Sequence, residues 1–391
     1  MSDHTGEDDE LVATEFLPEQ QSLFAITRMG KFIMCNGFTD EVELVGGVSD
    51  GLLAMAWSPD LELAALVSAR ADLLLVTAQL EPVVEVPVFS EEFGDMAPVT
   101  VGWGRKETQF HGSAGKAAAT AGRQEESAPP SGAAGGDDGR PRLSWRGDGQ
   151  MVAVSIVCPA SGGRRFVVFS RDGSRLSTSE PVAGLGQCLA WRPSGAVIAS
   201  VQRLPNRLQT VFFEKNGLRH GEFTLPFEPH AAHVRELLWS PDSAVLAVWL
   251  EADGLESGQS RVQLWTTGNY HWYCKQEHVF EASDAVAAVC WHPLASYSLL
   301  VATSTGRLLT FSYQWRPSCG ARSAVAVVAD GRRLLVTPLS HVIVPPPLSA
   351  HELQLPAAVT ALCQGPAGAD RWLWAVTSDR RLHAFRLCQY E

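Results

Sequence analysis

The stretch ELLWSPDS, Glu236 to Ser243, is an apolar run that ends in Trp and is followed at once by a chain reversal. The same wording returns in LLAMAWSPD (Leu52 to Asp60), RLSWRGDG (Arg142 to Gly149), CLAWRPSG (Cys188 to Gly195) and AAVCWHP (Ala287 to Pro293). Trp145, Trp191, Trp239 and Trp291 stand 46, 48 and 52 residues apart, near the roughly 40–50 residues of one four-stranded blade. Pro presets φ for a turn, and Asp, Ser or Gly tolerates the remaining turn positions, so each run reads as a strand closed by a hairpin turn with its Trp wedged between neighbouring sheets. A second signal comes after each first: a small-residue turn, often with Arg, leading into an alternating strand. GGRRFVVFS (Gly162 to Ser170), SRVQLWTT (Ser260 to Thr267), STGRLLTFS (Ser304 to Ser312), DGRRLLVT (Asp330 to Thr337) and SDRRLHAF (Ser378 to Phe385) carry it. Two hairpins per repeat predict an all-β chain, a WD-like β-propeller of about seven blades.

Composition narrows the function classes. A net charge of −12 over 391 residues argues against the basic footprint of a nucleic-acid binder and favours basic protein surfaces as neighbours. The eight Cys form no Cys-x-x-Cys pair and sit mostly in apolar strands, as Cys290 does beside Trp291, so they read as small buried hydrophobes in a reducing compartment. None of Asn36, Asn206, Asn216 and Asn269 opens a glycosylation sequon. The start of the chain is acidic rather than signal-like, and no apolar run is long enough to span a bilayer. The expected address is the cytosol, with the nucleus as a second, and no membrane partner.

Along the chain, residues 1–20 read as an acidic flexible terminus and 21–345 as the propeller. The runs LFAITR, KFIMCNG and EVELVGG between Leu23 and Gly47 read as three strands of a blade lacking its first, so the propeller is expected to be incomplete at its amino end. Trp103 has repeat spacing, but too few strand formers come after it for a full blade. Ser113 to Gly139 holds no aromatic, Ile, Leu or Val residue and reads as a disordered insertion. VIVPPPLSA (Val342 to Ala350) reads as a stiff connector with a boundary near 345–356. Residues 346–391 are then a linker and the first blade of a second propeller, or a closing blade.

No motif for chemistry meets its own requirements. GSAGKA (Gly112 to Ala117) has Phe110 where a phosphate loop needs Gly, and Ala117 where it needs Ser or Thr. His230 and His233 have ligand spacing without further ligands, and HELQL at His351 lacks a second His. Trp249, Trp265, Trp272, Trp372 and Trp374 read as core or seam packing. The candidate partner-contact surface has two parts: the polar face of Trp103, Arg105, Lys106, Gln109 and His111, and the turn Asn269, Tyr270, His271, Tyr273, where consecutive aromatics cannot all be buried. A rival class is a propeller enzyme or small-ligand binder with its site in a central channel. That class needs ionisable groups repeated at the channel-facing strands, where the chain instead offers Ala56, Ala190, Leu238 and Cys290 before four of the five signature Trp residues.

The strings TVGWGRKETQFHG (Thr100 to Gly112), WRGDGQ (Trp145 to Gln150), STSEPVAGLG (Ser177 to Gly186), VFFEKNGLRHGEFTLPF (Val211 to Phe227), VLAVWLE (Val245 to Glu251), VQLWTTGNYHWY (Val262 to Tyr273) and VIVPPP (Val342 to Pro347) are more specific than a blade pattern. From about Leu11 onward the chain resembles the amino-terminal propeller region of the family of largest Elongator-complex subunits. The Gly-His and Trp-Asp dipeptides of ordinary WD repeats are absent, so the resemblance rests on those strings. It implies a partial chain of a scaffold with two tandem propellers, a helical-repeat region and a carboxy-terminal dimerisation segment. It also implies other Elongator subunits as partners, with transfer RNA reached only through the complex that modifies its wobble uridine. Catalysis belongs to a different subunit of that complex, so no catalytic residue, metal or cofactor is implied here. The insertion and Thr310 to Ser323 depart from the family pattern.

Overall fold

A computed structural model describes residues 9–39, 41–89, 136–159, 161–253, 258–315, 324–365 and 372–387. They fall into two compact units, Met1–Pro226 and Phe227–Glu391, built from antiparallel meanders. The first unit holds β1 (Leu11–Leu17), β2 (Ser22–Thr27), β3 (Lys31–Asn36) and β4 (Val42–Gly47) as one sheet, and β5 (Leu52–Trp57), β6 (Leu63–Ser68), β7 (Asp72–Thr77) and β8 (Pro82–Pro87) as the next. A third sheet has β9 (Arg142–Trp145), β10 (Met151–Val157), β11 (Arg164–Ser170) and β12 (Arg175–Thr178). The fourth has β13 (Leu185–Trp191), β14 (Ile198–Leu204), β15 (Arg207–Phe213) and β16 (Arg219–Thr224).

The second unit opens with β17 (Ala232–Trp239), β18 (Leu246–Ala252), β19 (Ser260–Gly268) and β20 (His271–Phe280). Three three-stranded sheets come next: β21 (Val286–Trp291), β22 (Ser298–Thr303) and β23 (Leu308–Ser312); β24 (Val325–Asp330), β25 (Arg333–Pro338) and β26 (His351–Gln354); β27 (Val359–Gln364), β28 (Trp372–Thr377) and β29 (Leu382–Arg386). The chain is an all-β propeller protein. Where the repeats predict about seven blades, the described residues form eight sheets, five of four strands and three of three. No helix among them is long and apolar enough to cross a membrane.

The repeat signature explains why these residues make these sheets. Every signature Trp closes the first strand of its sheet and is buried: Trp57, Trp145, Trp191, Trp239 and Trp291. The Trp145 indole donates to the carbonyl of Ala56 at 2.9 Å, and Trp291 to that of Leu238 at 3.1 Å. Each acceptor is the residue just before the preceding sheet's Trp, so one hydrogen bond at each of these seams sets the spacing of neighbouring sheets. Trp57 differs: its indole N–H is buried without a partner among the described residues, and its ring meets Phe24 edge-on at 5.6 Å. In the adjoining turns, the buried Ser58 hydroxyl donates to Asp60 and accepts from the Leu63 amide, and Ser240, Asp242 and Val245 repeat that arrangement. Ser-Pro-Asp is thus a self-satisfying hairpin in which the serine hydroxyl is not stranded by its burial.

Three expectations need correction. The first sheet has its first strand: Leu11–Leu17 lies inside the stretch read as a flexible terminus and pairs with β2 from Leu11↔Thr27 to Leu17↔Ser22. Its residues are largely exposed, so composition resembles a tail and only pairing makes it a strand. The close of the insertion is folded as well. Asp137 accepts two hydrogen bonds from Arg164, at 2.7 and 2.6 Å, with both side chains fully buried. A bidentate pair with no water access holds this segment against the sheet in spite of its disorder-prone composition. The Pro345–Pro347 run does not end a body: it lies in the connection from β25 to β26, and β26 pairs with β25 from Arg333↔Gln354 to Val336↔His351.

Candidate partner-contact surface

Trp103, Arg105, Lys106, Gln109 and His111 lie outside the described residues. The second part of the predicted surface is the hairpin β19–β20. Gly268 pairs with His271, leaving Asn269 and Tyr270 as a two-residue turn with φ of 51° and 59°. Both central residues in the left-handed region match the twist of the strands, which is why tight hairpins adopt this turn. Asn tolerates that region; Tyr does so at a cost of roughly 1–2 kcal/mol. The Tyr270 ring stands in solvent with relative exposure 104%.

Its neighbours do not. The Asn269 side-chain amide donates to the carbonyl of Pro346 at 2.6 Å. Trp272 packs on the signature Trp239 at 6.0 Å, and Tyr273 is buried. The register jumps from Leu264↔Gln276 to Trp265↔Cys274, so Lys275 is the extra residue of a β-bulge and turns outward. Its ammonium donates to the carbonyl of Ala329 at 2.7 Å and lies 4.5 Å from the Tyr273 ring centroid. On either side of the bulge the edge of β20 is occupied. The Cys274 amide donates to the Asp330 carboxylate at 3.0 Å, its carbonyl accepts from the Gly331 amide at 2.8 Å, and the Gln276 side chain donates to the carbonyl of Thr360 at 2.8 Å. Asp330, itself buried, also accepts from Arg333 and, at 3.5 Å, from His271 Nε2.

The electrostatics follow from that closure. Burial pushes the Cys274 thiol well up, helped by the Glu277 and Asp330 carboxylates, so this cysteine is chemically quiet. Burial likewise lowers Lys275 and raises Tyr273, the latter with help from Asp330. Further along β20, burial lowers His278 to about 4; its Nε2 lies 2.8 Å from the Tyr313 hydroxyl and its ring 4.1 Å from that of Phe311. His233, paired in the sequence with His230 by spacing, sits instead between Glu251 at 3.2 Å and Asp253 at 2.8 Å. The hydrogen bond to Glu251 is the main cause of its raised pKa. No group of three His, Cys, Asp or Glu among the described residues could hold a metal ion.

Of the four predicted turn residues, Asn269, His271 and Tyr273 therefore face other parts of the chain, and Tyr270 faces solvent. Sequence reasoning misses Asp330, Lys275 and Gln276. The only local sign is the Asp330–Gly331 turn; nothing nearby marks Cys274, 56 residues earlier, as its partner.

Residues 1–294 match the family described as ELP1 first N-terminal beta-propeller. The chain belongs to that family. Residues 328–389 match the ELP1 N-terminal second beta-propeller, which covers β25–β29 and all but the first residues of β24. Elongator complex protein 1 of Oryctolagus cuniculus is 45% identical over 359 residues, covering 89% of this chain and 27% of the relative. The Drosophila melanogaster protein of the same name is 35% identical, covering 96% and 29%. That of Saccharomyces cerevisiae is 33% identical, covering 81% and 25%. The chain thus spans about a quarter of the length of the curated relatives it matches. Among solved structures, Kuenenia stuttgartiensis hydrazine synthase is similar at 12% identity and a TM-score of 0.50, over 99% of this chain and 98% of that one. At that identity the likeness is one of fold alone.

Proposed function

We propose that this chain is a non-catalytic scaffold module of the Elongator complex, working in the cytosol and also in the nucleus. It holds other subunits in place for modification of the wobble uridine of transfer RNA, and meets that RNA only through them. Membership of the ELP1 propeller family is the observation that carries this reading. The acidic charge of −12 suits basic protein surfaces better than direct contact with RNA.

The test is capture of tagged chain from cell extract, followed by identification of the complex's catalytic subunit and measurement of wobble-uridine modification when the chain is depleted. Recovery of that subunit, with loss of modification on depletion, is expected. A chain that brings down no Elongator subunit but turns over a small substrate by itself overturns the proposal in favour of a propeller with a channel site.

A further inference from the structure

Outer strands that face water are exposed along their length, as β4, β8 and β16 largely are. β20 departs from that pattern, with Tyr273, Cys274, Glu277 and Phe280 all buried. An outer strand carries a row of unpaired N–H and C=O groups, and burying them without partners is destabilising. At Cys274 both groups are satisfied, one by the Asp330 carboxylate and one by the Gly331 amide. The bulge at Lys275 shifts the ladder to β19 by one residue, as the outer strands β4, β8, β12 and β16 also do, and here the Lys275 ammonium donates to the Ala329 carbonyl.

The groups that meet this strand come from three separate places in the second-propeller segment. The β24–β25 turn supplies Ala329, Asp330 and Gly331, the β25–β26 connection supplies Pro346, and the start of β27 supplies Thr360. The β25 and β28 strands share a core of their own, including Leu334, Val336, Leu373 and Ala375, so the two sheets form one small body. A body gripped at three points has no free rotation about any one of them.

We infer that the hairpin β19–β20 is a docking arm by which the β17–β20 blade of the first propeller holds the second-propeller segment β24–β29 in fixed orientation, with Asp330 as the positioning residue. Asp330 does two jobs at once: it caps the edge amide of Cys274, and it holds Arg333 at the head of β25, so the turn presented to β20 is rigid. This role depends on the family assignment of residues 328–389 and on these contacts, not on which partners the chain serves.

Hydrogen exchange read by mass spectrometry on the whole chain tests it. Asp330→Ala is expected to speed exchange about tenfold or more in peptides covering Cys274–Gln276 and Ala329–Arg333, as loss of a charged partner to a buried amide implies, while β18 keeps its protection. Asn269→Ala is expected to loosen the Pro346 connection alone, and Gln276→Ala the start of β27 alone. Those two contacts lie away from Asp330, so they remain informative should Asp330→Ala unfold the unit. Protection that is unchanged in all three variants, or that falls in β18 in step with β24 in all three, overturns the docking arm.

Discussion

His278 makes the second unit acid-sensitive, by an amount set by its surroundings. Its ring lies 4.1 Å from the Phe311 ring and 2.8 Å from the Tyr313 hydroxyl, and burial lowers its pKa from 6.5 to about 4. In the unfolded chain the imidazole takes a proton below its ordinary value, whereas the folded one stays neutral until about pH 4. The unfolded state therefore binds more protons across that window, and stability falls as pH falls through it. A tenfold difference in proton affinity is worth about 1.4 kcal/mol, so at about pH 5 the loss is roughly 2 kcal/mol; solvent reaching the half-buried ring trims this to about 1–2 kcal/mol. Replacing His278 with Phe keeps the stack on Phe311 and removes the titration. The variant carries a flat offset of about 1–3 kcal/mol because the Tyr313 hydroxyl loses its partner, and adding Tyr313→Phe removes most of that offset. Urea unfolding of parent and variants at neutral pH and near pH 5 gives the comparison, since carboxylates that titrate in both proteins cancel. A His278→Phe chain that loses as much stability on acidification as its parent would falsify the assignment.

Other parts of the chain are open to equally direct tests. Asp137→Ala strands the Arg164 guanidinium in a dry site and should cost about 3–5 kcal/mol in thermal or urea unfolding of the first unit, whereas replacing both partners with apolar residues should recover most of it. Trp145→Phe and Trp291→Phe should each cost about 1 kcal/mol more than Trp57→Phe, because the first two indoles donate across a seam and the Trp57 indole does not; equal costs would mean those hydrogen bonds do not matter. Tyr270→Gly should raise the melting temperature, by about 0.5–1 kcal/mol of stability, since the left-handed turn no longer carries a side chain that disfavours it. His233 has a raised folded pKa, so its contribution is full below pH 6.5 and fades as pH rises through the folded value; His233→Gln should flatten the decline in stability between neutral and mildly alkaline pH.

The repeat is legible because its chemistry is local. A Trp at a strand end and a Ser-Pro-Asp turn, whose hydroxyl and carboxylate satisfy one another, announce themselves within nine residues in LLAMAWSPD. The features that stay hidden depend on partners far along the chain. β1 looks like an acidic tail until β2 is beside it, and Asp137 looks like part of a Gly-rich insertion until Arg164, 27 residues on, closes around it. The aromatic turn stands out by its density of rings, but its direction is not readable, because a hairpin that faces a partner and one that faces its own chain have the same local wording. Asp330 opens one of the recurring turn-plus-strand signals, DGRRLLVT, but that signal marks only a hairpin and says nothing of Cys274, the distant residue whose amide it caps.

The same division between local and distant chemistry governs how a propeller acquires a role. Residues that recur every blade are committed to holding blades together, as the indole of Trp291 is to Leu238, and that commitment would serve an enzyme or a scaffold equally. The shared fold with hydrazine synthase at 12% identity makes that concrete. Whatever distinguishes this chain must lie where the repeat is broken. The bulge at Lys275 is not itself such a break, because each four-stranded sheet carries one in its outer strand, at Val45, Val83, Leu176, His220 and Lys275; the departure at β20 lies in what the strand meets, with Lys275 on the Ala329 carbonyl, the Cys274 amide on Asp330 and Gln276 on Thr360. What an outer strand meets, rather than the conspicuous tryptophans or the bulge that every four-stranded sheet shares, is therefore what sets β20 apart from β4, β8 and β16 in this chain.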